Sequence, residues 1–307
     1  MKCIELCYES WRRDKMAGYA EAKAHGAATI INAIATGRGA AFGVALWTRA
    51  RVRLTDDIGY IKAKIQSDPT EDTLLIKKTV LTTLHHFHVN DKYGADVETE
   101  SNIPIARGMK SSSVAANALI LATVGALGAT LSDIEVLNLS VKAAIKAKTT
   151  ITGAFDDSCA SFFGNLVITD NFKRKILKRA DISDDLTILF HIPSKKFYTY
   201  TVDSSKMKSI APQVEVAFKE VLLGNYWTAL TLNGILYSTV LEFDTSITIA
   251  ALEAGALAAG LSGTGPAVVA VVQSDKAPTI LDAWNQYEGR IIKTKVNKEK
   301  AKITRQE

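Results

Sequence analysis

Hydrophobic positions follow two different periods along this chain. From Val44 to Leu54 and from Ile58 to Ile65, apolar and polar residues alternate, as in strands with one buried face. From Thr70 to Val89 the apolar residues Leu74, Leu75, Leu81, Leu84 and Val89 return at helical intervals. Asp96 to Ser101 reads as a strand again. Ser113 to Leu127 and Ser132 to Ala147 read as helices, the second opened by a capping box of Ser132 with Glu135. A short helix is expected from the Asp156 segment to about Phe163. Leu166 to Thr169 and Leu186 to Ile192 look like strands of a second unit. Helices are expected over Lys206 to Val221, Asn225 to Phe243 and Ala250 to Ala259. The β-branched run that ends at Val272 reads as a buried strand. Strands and helices mix without strict βαβ alternation, which predicts an α+β fold with a boundary near residue 165.

Composition changes this picture little. The 307 residues are 47% hydrophobic and 22% charged, enough apolar material for a core without staples. The net charge of +5 suits an anionic ligand. Basic residues are spread out except near the C-terminus, at Arg290, Lys293, Lys295, Lys298, Lys300, Lys302 and Arg305. That tail is read as a solvated edge or frayed end, and no nucleic-acid partner is expected. Three cysteines without metal spacing fit a reducing cytoplasm, the expected location. The first 20 residues lack a continuous apolar stretch, so no secretory signal is expected. Ser111 to Ser132 is uncharged over 22 residues, yet its serines, asparagine and glycines suit a buried helix and loop better than a membrane span. No membrane partner is therefore expected.

Candidate chemistry concentrates in three segments. In Pro104-Ile105-Ala106-Arg107-Gly108-Met109-Lys110-Ser111-Ser112-Ser113, a glycine and a cation precede three hydroxyls and an alanine-rich apolar run. That order suits a tight loop delivering a phosphate onto a helix N-terminus, where unpaired N–H groups and the helix dipole favour an anion. It also suits a serine-capped buried helix. Thr152-Gly153-Ala154-Phe155-Asp156-Asp157 sets adjacent carboxylates after a glycine turn in an otherwise uncharged stretch. Leu261-Ser262-Gly263-Thr264-Gly265-Pro266 is a small-residue loop before the last buried strand. No Gly-x-x-x-x-Gly-Lys-(Ser/Thr) loop exists, and Gly37, Gly39 and Gly43 do not make a dinucleotide fingerprint. His85, His86 and His88 invite a metal reading, but only the 85/88 pair shares a helix face.

Together the three segments resemble the GHMP kinases, small-molecule kinases acting on substrates such as galactose, homoserine and mevalonate. The phosphate loop matches with Met109 in a leucine place, and the Ser-Gly-Thr-Gly-Pro run looks like the family's C-terminal glycine motif. Within the family, Asn32-Ala33-Ile34-Ala35-Thr36-Gly37-Arg38-Gly39-Ala40-Ala41-Phe42-Gly43 together with the Asp156 segment is similar to archaeal-type shikimate kinases. The resemblance implies a two-domain GHMP kinase fold. An extension over 1–15 would precede a mixed α/β nucleotide-binding domain over 16–165 and a ferredoxin-like α+β domain over 166–307. It implies ATP and Mg²⁺ as cofactors and shikimate as substrate, on the path to chorismate, with the protein a monomer or homodimer.

By the same resemblance, Pro104 to Ser113 would bind nucleotide and Ser112 the Mg²⁺. Lys110 reads as a phosphate partner or as a solvated loop lysine. Asp156 would be catalytic, orienting the attacking hydroxyl and accepting its proton. Asp157 would hold Mg²⁺ or cap the helix. Asn32, Thr36, Arg38, Gly263 and Thr264 would bind substrate, with Arg38 opposite the shikimate carboxylate. Two positions depart from the family: Ile145 stands where several relatives carry a metal-binding glutamate, and no lysine stands beside Asn32. Alternative readings are a homoserine kinase and a non-catalytic metabolite sensor on the same fold.

Overall fold

Two sheets organise the chain in the computed structural model, which describes residues 18–194 and 204–307. The expected extension over 1–15 lies outside the described residues. The first sheet holds β1 (Tyr19–Ile31), β2 (Arg38–Thr55), β3 (Ile61–Ile65), β4 (Gly94–Ser101), β5 (Leu166–Asp170), β6 (Lys175–Ala180) and the final strand β11 (Lys302–Gln306). Its main path runs β11-β1-β2-β4-β3, and β5 pairs with the first residues of β2 and carries β6 outside it. Only β3 and β4 run parallel in this sheet. Four helices accompany it: α1 (Leu74–His86), α2 (Ser111–Ala126), α3 (Asp133–Lys146) and α4 (Phe155–Phe163).

The second sheet holds β7 (Leu186–Ile192), β8 (Ala258–Leu261), β9 (Val268–Gln273) and β10 (Arg290–Lys295), in the order β10-β7-β9-β8. Between β7 and β8 come α5 (Ser204–Lys208), α6 (Ala211–Leu223), α7 (Tyr226–Val240) and α8 (Ser246–Glu253), and α9 (Ala277–Trp284) lies between β9 and β10. Two β-α-β units interleaved this way make the expected ferredoxin-like arrangement.

The small residues from Ala27 to Val44 serve close approach. Helices α2 and α4 lie against β1 and β2, and Ala27, Ala41 and Ala160 form a buried cluster there. A Cβ on Gly43 would stand 2.9 Å from the Asn297 carbonyl oxygen and from the Gly164 Cα. Bulkier residues would lift α4, and the carboxylates it carries, off the sheet.

Three expectations need correction. Leu166 to Thr169 is β5 of the first sheet, and the second sheet begins only at Leu186. Ala250 to Ala259 is not one helix: α8 stops at Glu253, Gly255 adopts φ +95°, and β8 starts at Ala258. Alanine fits either state, and the glycine decides. Lys206 to Val221 is broken between α5 and α6, with Pro212 in the first turn of α6. The basic tail is the solvated edge expected and not a frayed end: β10 pairs with β7 and β11 with β1, each as the outermost strand of its sheet, with the basic side chains exposed.

Candidate active site

The phosphate-loop segment becomes a tight loop followed by α2. Ala106, Gly108 and Lys110 take positive φ angles of 55°, 78° and 62°. Left-handed backbone at a non-glycine residue costs of order 1–3 kcal/mol, so Ala106 and Lys110 are held there by their surroundings. Gly108 cannot be replaced without displacement, since a Cβ there would meet the Ser262 carbonyl oxygen at 2.6 Å and the Gly265 carbonyl oxygen at 2.8 Å. The two glycine motifs are laced together: Ala267 N–H donates to the Arg107 carbonyl, and the Ser262 hydroxyl donates to the Gly108 carbonyl. Met109 is buried and anchors the loop in the core. No side chain caps α2, and its first turn contains no acid. The serines are therefore not caps of their own helix, and the first-turn N–H groups are left for an anion.

Helix α4 brings the acidic pair to the same place. Successive helical residues point about 100° apart, so Asp156 and Asp157 face different neighbours. Asp157 receives Lys110, with Nζ to Oδ2 at 2.9 Å and side-chain exposures of only 13% for the lysine and 8% for the aspartate. Lys110 is thus not a solvated loop lysine. Burial pushes the Asp157 carboxyl up to about 7 and Asp156 adds to that, while Lys110 opposes it. The second oxygen, Oδ1, is buried with no hydrogen-bond partner among the described residues. Asp157 does not cap the helix, whose N-cap is Ala154 in a left-handed conformation without a side-chain bond. Asp156 is buried too; its Oδ1 accepts a hydrogen bond from Asn171 Nδ2 at 2.8 Å.

A buried polar bridge fixes α4 against its neighbours. Asn117 of α2 donates to the Ser158 carbonyl, and the Ser158 hydroxyl bonds both Asn117 Oδ1 and the Ser140 hydroxyl of α3. The helix that carries the phosphate loop and the helix that carries the acids are therefore held in one register.

A cleft of about 920 Å³ opens where these elements meet. Ile105 to Gly108, Lys110 to Ser113, Asp156 and Asp157 border it, as do Asn32 and Thr264. Ile65, Leu74, Leu75 and Ile76 give one wall an apolar surface, and Lys148 to Thr152 close another. Gly263 lies behind the loop, where a Cβ would come within 2.4 Å of Lys110 Nζ. Neither Pro104 nor Met109 lines the cleft.

Thr36 and Arg38 are not among the cleft-lining residues either. The Thr36 hydroxyl accepts the Arg38 N–H within its own turn. The Arg38 guanidinium pairs with Glu215 of α6 and lies 5.1 Å from the Phe218 ring centre. Asn32 shapes the turn as well as the cleft: its side-chain oxygen accepts the Ile34 N–H, its own N–H donates to Asn233 Oδ1, and its carbonyl accepts the Tyr237 hydroxyl.

The donor set suits a hard dication. Ser112 and Asp157 both line the cleft, Asp157 Oδ1 has no hydrogen-bond partner among the described residues, and Mg²⁺ takes oxygen ligands of this kind. Ile145, in the place of the relatives' glutamate, is half exposed and contributes no ligand. The histidines make no metal site: no group of three metal-ligating side chains exists among the described residues. Nor is any helix among them long and apolar enough to cross a membrane. Sequence reasoning missed the Lys110–Asp157 pairing, Asn171 and the wall from Lys148 to Thr152. Lys148 and Ala154 take positive φ, which the sequence alone does not announce.

Known proteins agree with this architecture. The model of the GHMP kinases' N-terminal domain matches residues 75–165, and that of their C-terminal domain matches residues 218–289. A shikimate kinase of Methanosarcina mazei is 45% identical over 276 residues, covering 89% of this chain and 93% of that protein. One of Methanothrix thermoacetophila is 43% identical over 288 residues, covering 94% and 96%. Among solved structures, a homoserine kinase from Cytophaga hutchinsonii superposes with a TM-score of 0.73 at 17% identity, over 93% of this chain and 97% of that one. The mevalonate kinase of Methanococcus jannaschii does so at 0.73 and 16% identity, over 93% and 99%.

Proposed function

The chain belongs to the GHMP kinase family, and we propose that it transfers the γ-phosphoryl group of ATP to the 3-hydroxyl of shikimate, on the way to chorismate and the aromatic amino acids. One observation carries the chemistry. The phosphate loop and the acidic pair meet at one cleft, with Lys110 on Asp157 and Asp156 beside it. Phosphoryl transfer asks for positioning and charge neutralisation more than for covalent catalysis.

In this reading the nucleotide phosphates lie on the backbone N–H groups from Gly108 to Ser113, and Lys110 supplies a point charge. The base rests on the apolar wall of Ile65, Leu75 and Ile105. Asp156 orients the substrate hydroxyl and takes its proton late. The hydroxyl oxygen forms a bond to the γ-phosphorus as the bond to the β,γ-bridging oxygen breaks, and ADP leaves with that electron pair. Ser112 and Asp157 Oδ1 would hold Mg²⁺, which when bound neutralises phosphate charge. Asn32 and Thr264 are the substrate contacts inside the cleft, and Gly263 keeps room for Lys110. Thr36 and Arg38 lie outside the cleft lining, and Arg38 would have to exchange Glu215 for the substrate carboxylate.

Substrate choice is tested by ATP consumption with shikimate, homoserine and mevalonate. Homoserine brings an ammonium group, and Asn32 to Phe42 offers it no carboxylate. A site built for hydroxyls leaves polar groups unpaired around a poorly matched ligand. The expected kcat/KM for shikimate is therefore at least ~10³ above that for homoserine. Comparable turnover of homoserine would overturn the substrate and leave the kinase reading in place.

A further inference from the structure

Asp156 is held from two sides, on one of them by residues that no motif contains. Its Oδ1 accepts Asn171 Nδ2 at 2.8 Å. The Asn171 amide oxygen accepts the Thr169 hydroxyl at 2.7 Å. Thr169, Asn171 and Asp156 are 0%, 4% and 3% exposed. Thr169 lies in β5, and Asn171 is the first residue after that strand. The Asn171 N–H donates to the Gly37 carbonyl at 2.7 Å, and Thr169 pairs with Gly39 across the β2–β5 ladder. The asparagine is thus tied at its backbone to the turn between β1 and β2.

The polarity of this chain is dictated by chemistry. A hydroxyl donates one hydrogen. Thr169 has the Asn171 oxygen at 2.7 Å and the Gly39 carbonyl at a distant 3.4 Å, so its hydrogen goes to the asparagine. That leaves the NH₂ end of the amide facing Asp156. The flipped amide would set a carbonyl oxygen against a carboxylate oxygen, acceptor on acceptor.

The other side is closed by a missing side chain. A Cβ on Gly39 would lie 2.3 Å from Asp156 Oδ2 and 2.7 Å from its Cγ. Gly39 does not have positive φ, so space and not backbone conformation demands the glycine. The carboxylate lies on a bare patch of β2 with one oxygen tethered.

We propose that Asn171 is a positioning residue for phosphoryl transfer: its amide, oriented by Thr169, fixes Asp156 over Gly39 with one oxygen turned to the attacking hydroxyl. The proposal rests on Asp156 as the hydroxyl-orienting group. Asn171 itself touches no reacting atom. Its loss frees the carboxylate to rotate, which lowers kcat and spares nucleotide binding.

The test is a kinetic double-mutant cycle on the full chain. Asn171→Ala should lower kcat about 10–100-fold, the size of a hydrogen bond to a buried charge, with KM for ATP within about twofold. Thr169→Val keeps the shape, loses only the orienting hydroxyl and should lower kcat about 3–10-fold. In an Asp156→Asn background, Asn171→Ala should add less than about threefold, because its target is already gone. Full multiplication of the two losses, or unchanged kcat in both Asn171→Ala and Thr169→Val, would overturn the proposal. If Asn171→Ala does not fold, Thr169→Val decides alone. Near-normal turnover by Asp156→Asn would instead sink the underlying assignment of Asp156.

Discussion

Lys110–Asp157 and Arg38–Glu215 are both ion pairs between distant segments, and each takes its cation from a glycine-containing motif. The first is almost wholly buried and leaves a carboxylate oxygen without a partner. The second sits at 40% and 27% exposure, with the guanidinium against Phe218. Desolvating two charges is expensive, and a buried pair is often no more stable than apolar residues of the same volume. An exposed pair costs little and contributes little. The buried pair therefore reads as chemistry kept at the expense of stability, and the exposed one as a clasp between β2 and α6. His25 shows what a buried ionisable group does without such a task. Burial lowers its pKa to about 4, and it stays neutral.

The largest expected effect comes from breaking the buried pair on one side. Lys110→Met should cost about 1–3 kcal/mol of stability, because Asp157 is left as a protonated, unpaired polar group inside, and should abolish turnover. Urea denaturation and an ATP-consumption assay measure the two losses. The double variant Lys110→Met/Asp157→Leu should recover wild-type stability or exceed it by about 1–4 kcal/mol, and remain inactive. A double variant less stable than Lys110→Met would show that the pair stabilises the fold and would erase the contrast with Arg38–Glu215.

Ser112→Ala should reduce catalysis about 10–100-fold by removing one phosphate or metal contact of ~1.4–2.7 kcal/mol. Unchanged kinetics in ATP and Mg²⁺ would remove Ser112 from the mechanism. For His25, the folded pKa lies below the unfolded value of about 6.5, so acid favours the unfolded chain. The stability it contributes is complete above pH 6.5 and fades as pH falls towards 4, with a loss of about 2 kcal/mol by pH 5. His25→Phe should flatten that part of the pH profile; an unchanged slope would place the titration elsewhere. Last comes Arg38→Ala, with a stability cost of at most about 1 kcal/mol and no change in KM for ATP. A tenfold rise in KM for shikimate would move Arg38 from clasp to substrate site.

How far the sequence carries is clear from particular elements. Helix α3 is legible because its capping box is local: Ser132 and Glu135 bond each other's ends as their spacing predicts. The phosphate loop and the Asp156 turn are legible because glycine, cation and hydroxyl stand within a few residues. Asn171 is not legible, since its partner lies fifteen positions away on another element and neither neighbourhood looks unusual. Arg38 misleads for the same reason. A guanidinium next to glycines looks free until Glu215 arrives from α6. Ala250 to Ala259 fails differently: alanine satisfies helix and strand alike. The choice of strand after Gly255 is enforced by Gly234 of α7, where a Cβ would stand 2.4 Å from the Gly260 Cα.

The lacing between the two glycine loops also sets a timetable. Arg107 and Gly108 leave the ribosome about 150 residues before the partners that hold them, Ser262 and Ala267. Contacts so far apart in sequence close late, after the entropy of a long intervening loop has been overcome. Strand β1 waits longer still, with one edge uncovered until β11 pairs with it at Lys302–Gln306. A nascent chain thus carries the sequence of its first glycine loop early but not that loop's shape. It gains competence to bind a nucleotide only when nearly all of it has been made, and until then an open strand edge is its point of exposure to aggregation.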